Sequence, residues 1–186
     1  MEENSDRLQQ IEEFIYSLKV PKERIAVLIG KKGEEKKELE EISDCQIFID
    51  SKEGDVTLSG KNSLSLYILR EVVKAISRGF NPELAKQLFK QDYALEIMSL
   101  NEYNPNKNHH PRLKGRIIGK KGKSRETIEQ LTDCNICVYG KTVSIIGNMI
   151  DLPFAKKAVE NLLTGSMHVT VYKWLEKYKN SRMEKL

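Results

Sequence analysis

Apolar positions along the chain switch between two periods, and the order in which they do so occurs twice. Phe14 to Val20 and Ala94 to Leu100 are short β-type runs; the helical segments that follow, Lys22 to Ile29 and Arg112 to Ile118, each stop at a glycine. A short loop then launches a second helix, Glu34 to Ser43 or Lys123 to Thr132, with Leu39 and Ile42, or Ile128 and Leu131, expected to face inward. Strands Gln46 to Asp50 and Val56 to Ser59 read as a hairpin, and Asn135 to Tyr139 with Val143 to Ile146 as its counterpart turning at Tyr139-Gly140-Lys141. Each copy closes on a long amphipathic helix, Ser63 to Ser77 and Leu152 to Leu163, and further helices are expected over Pro82 to Lys90 and Val169 to Lys179. The order β-α-loop-α-β-β-α predicts a small α+β domain, a three-stranded sheet with three helices on one face, built twice in tandem.

The duplication is also visible residue by residue. Gly119 falls on Gly30 at an offset of 89, and the same offset carries Asp44-Cys45-Gln46-Ile47 onto Asp133-Cys134-Asn135-Ile136. A shorter turn in the second hairpin changes the offset to 87, where Leu58-Ser59-Gly60 meets Ile145-Ile146-Gly147. Residues 1–92 are therefore assigned to the first domain with a trailing helix, and residues 93–186 to the second with a C-terminal helix.

With 39% hydrophobic and 31% charged residues in 186, each half can bury a modest core under a solvated surface. No run approaches the roughly 18 apolar residues of a spanning helix, and Met1 to Asp6 is acidic where a secretory signal is basic. A cytoplasmic protein is expected. Its three cysteines are expected to be reduced thiols. Cys134 and Cys137 form a Cys-x-x-Cys, but they lie on a strand, where residues three apart point to opposite faces; core packing is favoured over zinc. Asn101 to His110 reads as an exposed spacer, Val171, Trp174 and Tyr178 as a packed stripe, and Asn180 to Leu186 as a fraying end.

The candidate chemistry is concentrated in the two loops. Gly30-Lys31-Lys32-Gly33 and Gly119-Lys120-Lys121-Gly122 each place two lysines between glycines, directly ahead of a helix N-terminus. Glycines let backbone N–H groups approach a phosphate, and the helix end already favours anions. Charge separates the copies. Residues 1–92 hold 15 Lys or Arg against 18 Asp or Glu, net −3, whereas residues 93–186 hold 16 against 9, net +7. Lys114, Arg116, Lys120, Lys121, Lys123 and Arg125 crowd the second loop, whereas Glu34 and Glu35 follow the first, so the second copy is expected to bind polyanions more strongly and the first either to bind them weakly or to serve chiefly as a protein-contact and scaffold domain. A nucleotide-binding P-loop is the nearest enzymatic rival, but Ile117 stands where its first glycine belongs. No catalytic set, cofactor or metal site is expected, and the chain is not expected to be an enzyme.

Ile-Gly-Lys-Lys-Gly between two helices inside β-α-α-β-β-α resembles the type-one K-homology (KH) domain, present twice. Arg78-Gly79-Phe80-Asn81-Pro82, the stretch Lys114 to Lys123 and the closing segment Gly165 to Leu175 are similar to the archaeal branch of the Dim-two, or partner-of-Nob, ribosome-assembly family. The resemblance implies a groove for single-stranded RNA: Gly119 to Gly122 clamps the backbone, and Ile117, Ile118, Ile136 and Val138 are candidates for its apolar floor or for the core. It further implies small-subunit ribosomal RNA near its three-prime end as target, and the Nob endonuclease and the alpha subunit of initiation factor two as partners. An RNA-binding subunit or adaptor of an exosome or translation-initiation complex is the alternative.

Overall fold

The computed structural model describes residues 13–183; the acidic start Met1 to Asp6 and the last three residues lie outside them. The first copy runs β1 (Phe14–Lys19), α1 (Lys22–Ile29), a 3-10 turn (Lys31–Gly33), α2 (Glu34–Ser43), β2 (Cys45–Asp50), β3 (Asp55–Gly60) and α3 (Ser63–Ser77). Its sheet is antiparallel in the order β1-β3-β2, with Phe14 and Cys45 both opposite Gly60. Alternation decides the faces: Ile47, Val56 and Leu58 are buried, as are Ile25 and Leu28 on α1 and Leu39 on α2. Asn62 starts α3, its Oδ1 accepting from Leu64 N at 2.9 Å and Ser65 N at 3.2 Å.

Next come α4 (Pro82–Ala85) and a 3-10 turn (Lys86–Phe89), a tighter and shorter pair than the single helix expected over Pro82 to Lys90. The second copy runs β4 (Tyr93–Ser99), α5 (Leu100–Tyr103), α6 (His110–Ile118), a 3-10 turn (Lys120–Gly122), α7 (Lys123–Thr132), β5 (Asn135–Tyr139), β6 (Thr142–Asn148), α8 (Leu152–Leu163) and α9 (His168–Met183). Its antiparallel sheet repeats the order, β4-β6-β5. The core joins Ile145 and Val143 of β6 to Ile117, Ile128, Ala155, Val159 and Leu162 of the helices, and α9 adds Val171 and Leu175. Among the described residues, no helix is long and apolar enough to cross a membrane.

The chain divides into two compact units, Met1–Arg70 and Glu71–Leu186, whereas the repeat divides at 92/93. The segment trailing the first copy packs with the second unit. A Cβ on Gly79 would meet Cys137 Sγ at 2.7 Å, and Asn135 Nδ2 donates to Gln87 Oε1 at 3.4 Å. Both copies finish their long helix alike: Phe80 N donates to Ala75 O and Gly79 N to Ile76 O, as Ser166 N does to Asn161 O and Gly165 N to Leu162 O. Each is a Schellman motif, with the left-handed position filled by glycine.

Four local expectations change. Ile42 is 49% exposed rather than inward, whereas its equivalent Leu131 packs on the second core, which α9 helps to build. The spacer Asn101 to His110 is largely short helical turns, and His110 is buried, its Nε2 donating to Asn104 O at 2.9 Å. In the closing stripe Trp174 and Tyr178 are half-buried, and the fully covered partner of Val171 is Leu175. The end expected to fray from Asn180 continues α9 to Met183. Cys134 is buried and Cys137 half-buried on the opposite face, so the two thiols do not converge.

Candidate nucleic-acid interface

Both glycine loops adopt one conformation. Gly30 has φ 72°, Lys32 φ 55° and Gly33 φ 83°; Gly119, Lys121 and Gly122 have 71°, 56° and 80°. The amide of the first glycine closes the preceding helix, Gly30 N to Ala26 O at 3.0 Å and Gly119 N to Gly115 O at 2.9 Å. The second lysine of each pair therefore sits in the left-handed region, which costs an L-residue roughly 1–2 kcal/mol. The helix-end residues Asp44 and Asp133 share this strain at φ 52° and 51°, so what sets the two lysines apart is their place between glycines.

The four glycines have different tasks. A Cβ on Gly119 would lie 2.6 Å from Ser124 Cβ and 2.8 Å from Ser124 N, so the backbone there is pressed onto the start of α7. Gly30 is packed in the same way against Glu35, the residue equivalent to Ser124. Among the described residues nothing lies within 4 Å of a Cβ on Gly33 or Gly122, at the outer side of each loop. Neither α2 nor α7 has a side-chain cap among the described residues; the first amide of each, Glu34 N or Lys123 N, donates to Lys31 O or Lys120 O and closes the 3-10 turn.

The side chains separate into contacts and supports. Lys31, Lys32, Lys120, Lys121 and Lys123 are exposed, and Lys114 is half-exposed on α6. Arg125 is also exposed and pairs with Glu129 at 3.6 Å. On α2 the acidic residues offset the basic ones, Lys36 pairing with Glu40 at 3.7 Å and Lys37 with Glu41 at 3.8 Å. This keeps the field at the first loop weaker than at the second, because on α7 Lys123 lies where α2 has Glu34.

Three candidates change role. Ile117, 0% exposed, and Ile136, 3% exposed, belong to the core; α6 turns Ile117 inward, and the alternation of β5 does the same for Ile136. Val138 is half-buried against that core, which leaves Ile118, half-exposed at the last turn of α6, as the apolar residue beside the loop. Arg116 is engaged at the end of α8. Its Nε donates to Leu162 O at 2.8 Å and its Nη2 to Ser166 O at 2.5 Å. Sequence reasoning missed two residues: His168, whose Nε2 donates to Arg116 O at 2.7 Å, and Ser124 beside Gly119, 4% exposed, with a buried hydroxyl that has no hydrogen-bond partner among the described residues. A signal for the first was present, since Arg116 stands where the first copy has the apolar Val27.

Known KH-domain models match the chain in two places. The family model described as a eukaryotic-type, type I KH domain matches residues 94–180, and the general KH-domain model matches residues 15–73. A KH domain-containing protein of Methanocaldococcus jannaschii is 46% identical over 175 residues, which covers 90% of this chain and 77% of that protein. The crystal structure of Dim2p from Pyrococcus horikoshii superimposes with a TM-score of 0.83 at 44% identity, covering 88% of this chain and 99% of that one. The chain belongs to the Dim2p/PNO1 family of KH-domain proteins. Within this family, a structure described as the a/eIF2alpha-aDim2p-rRNA complex of Pyrococcus horikoshii matches with a TM-score of 0.87 and 42% identity over 95% of this chain and 99% of that one. The RNA-binding protein PNO1 of Oryzias latipes is 34% identical over 104 residues, 55% of this chain and 43% of that protein.

Proposed function

We propose that this protein binds single-stranded RNA through both KH loops and acts as a ribosome-assembly factor on the three-prime region of small-subunit ribosomal RNA. The observation that carries the reading is the strained glycine–lysine loop, built twice in one conformation ahead of a helix without a side-chain cap. Backbone N–H groups and exposed lysines at such a loop suit the sugar-phosphate chain, while Ile118 offers an apolar contact to a base. The rRNA complex of the Pyrococcus relative supports the choice of target. The protein works by binding, in the cytoplasm and without catalysing a reaction. Its partners on this reading are the Nob endonuclease and the alpha subunit of initiation factor two. The alpha subunit in the same Pyrococcus complex also favours a second role as an adaptor to translation initiation.

The second loop carries more of the affinity, because the charge of its half is +7 against −3 for residues 1–92. Neutralising about three phosphates of a single strand gives a slope of log K against log salt near −2. The test is fluorescence anisotropy with a single-stranded RNA ending in the three-prime small-subunit rRNA sequence. Exchanging Lys120 and Lys121 for Asp is expected to abolish most binding with the fold intact, and exchanging Lys31 and Lys32 to cost less. Unchanged affinity of the Lys120/Lys121 variant at moderate salt overturns the clamp, and equal losses from the two pairs overturn the ranking.

A further inference from the structure

The loop of the second copy is attached to an element that lies beyond the β-α-α-β-β-α unit. Arg116 is on the last turn of α6, three residues before Gly119, and its guanidinium spans two carbonyls at the end of α8, Leu162 O and Ser166 O. The carbonyl of Arg116 itself accepts from His168, the first residue of α9. One residue thus ties the loop's entry helix to the α8–α9 junction through both its side chain and its backbone. The charge is well placed, since the last carbonyls of a helix carry the negative end of its dipole.

The exit helix is tied to the same element. Lys179 of α9 donates to Gln130 O near the end of α7 and lies 3.9 Å from Asp133. The far end of α9 is fixed in turn, Tyr178 donating to the buried Asp151 at 2.8 Å and Arg182 pairing with the same carboxylate. The first copy has Val27 in place of Arg116, and its Ile42 is exposed where Leu131 is partly buried against the core.

We infer that α9 is a brace for the second RNA loop, and that Arg116 and His168 are positioning residues that set the Gly119–Gly122 turn without touching RNA. The inference rests on the clamp reading above. It makes the second loop the preorganised one of the two, so its advantage comes from held geometry as well as from charge.

The experiment uses the full chain with Arg116→Met, Arg116→Lys and His168→Gln, each checked by thermal melting, against the same RNA probe. Arg116→Met is expected to weaken binding about tenfold, the size of an ordinary coupling between linked sites, with Arg116→Lys intermediate. The salt slope is expected to stay unchanged, whereas loss of a direct phosphate contact would reduce its magnitude by about 0.7. Amide hydrogen exchange at Gly119 to Ser124 is expected to speed up in both Arg116→Met and His168→Gln. In the Lys120/Lys121 Asp background Arg116→Met should have no further effect on affinity, because it acts through the loop. A reduced slope with unchanged exchange makes Arg116 a phosphate contact and overturns the brace. So does unchanged affinity in a folded Arg116→Met protein while the lysine variant loses binding. Should the lysine variant itself bind normally, the clamp reading fails first. If Arg116→Met does not fold, His168→Gln decides: native affinity and exchange in that variant overturn the inference.

Discussion

Lys32 and Lys121 hold left-handed backbone conformations that glycine would adopt freely, and neither is glycine. The side chain is kept at a cost, and its removal should separate stability from binding. Lys121→Gly is expected to raise the unfolding free energy by up to about 1 kcal/mol while weakening RNA affinity, as measured by urea titration and anisotropy on one preparation. The flanking glycines differ from each other in the same test. Gly119→Ala drives a methyl into Ser124 in addition to straining φ and should cost about 2–3 kcal/mol, whereas Gly122→Ala meets open space and should cost about 1 kcal/mol. Burial of Cys134 pushes its thiol up to about 11, so it stays protonated at pH 8. Alkylation of the native protein at that pH should spare Cys134 until denaturant is added; modification at the rate of a free thiol would show that the second core is open.

At the level of the element, the pairing of β-strands leaves a distinctive cross-strand fit. Gly60 lies opposite Cys45, and Gly147 holds the equivalent place beside Cys134, with no room for a Cβ next to either sulfur. Gly147→Ala should therefore destabilise the second sheet by about 1–3 kcal/mol, readable as a lower urea midpoint at unchanged m-value. The two second helices make a matched comparison: Ile42→Glu on α2 should fall within about 0.5 kcal/mol of wild type, and Leu131→Glu on α7 should cost about 2 kcal/mol or more. Element order, the hairpins and both loops were legible in the sequence because periodicity and glycine punctuation are local signals and the repeat supplied each twice. What was not legible depended on distant partners. Ile117 and Ile118 are adjacent apolar residues, and only packing decides that Ile117 enters the core. Arg116 read as one more cation near the loop because its acceptors lie 46 and 50 residues further along the chain. Ile42 and Leu131 occupy the same place in the pattern, and Leu131 packs on a core to which α9, beyond the β-α-α-β-β-α unit, contributes Val171 and Leu175.

For the whole molecule, duplication followed by divergence in charge explains how one loop design can serve at two strengths. An acidic first half offsets its own lysines on α2, and the basic second half concentrates the field that draws a polyanion. The salt dependence of binding should accordingly follow the second copy, with a slope near −2 that falls toward zero when Lys120 and Lys121 are replaced and changes less when Lys31 and Lys32 are. The most direct measurement of the central claim is an amide-resolved NMR titration of the full chain with the single-stranded rRNA three-prime sequence. The account predicts the largest shifts at the backbone amides of Lys120 to Ser124, with smaller ones at Lys31 to Glu35. Saturable binding with both sets of loop amides unmoved would contradict it.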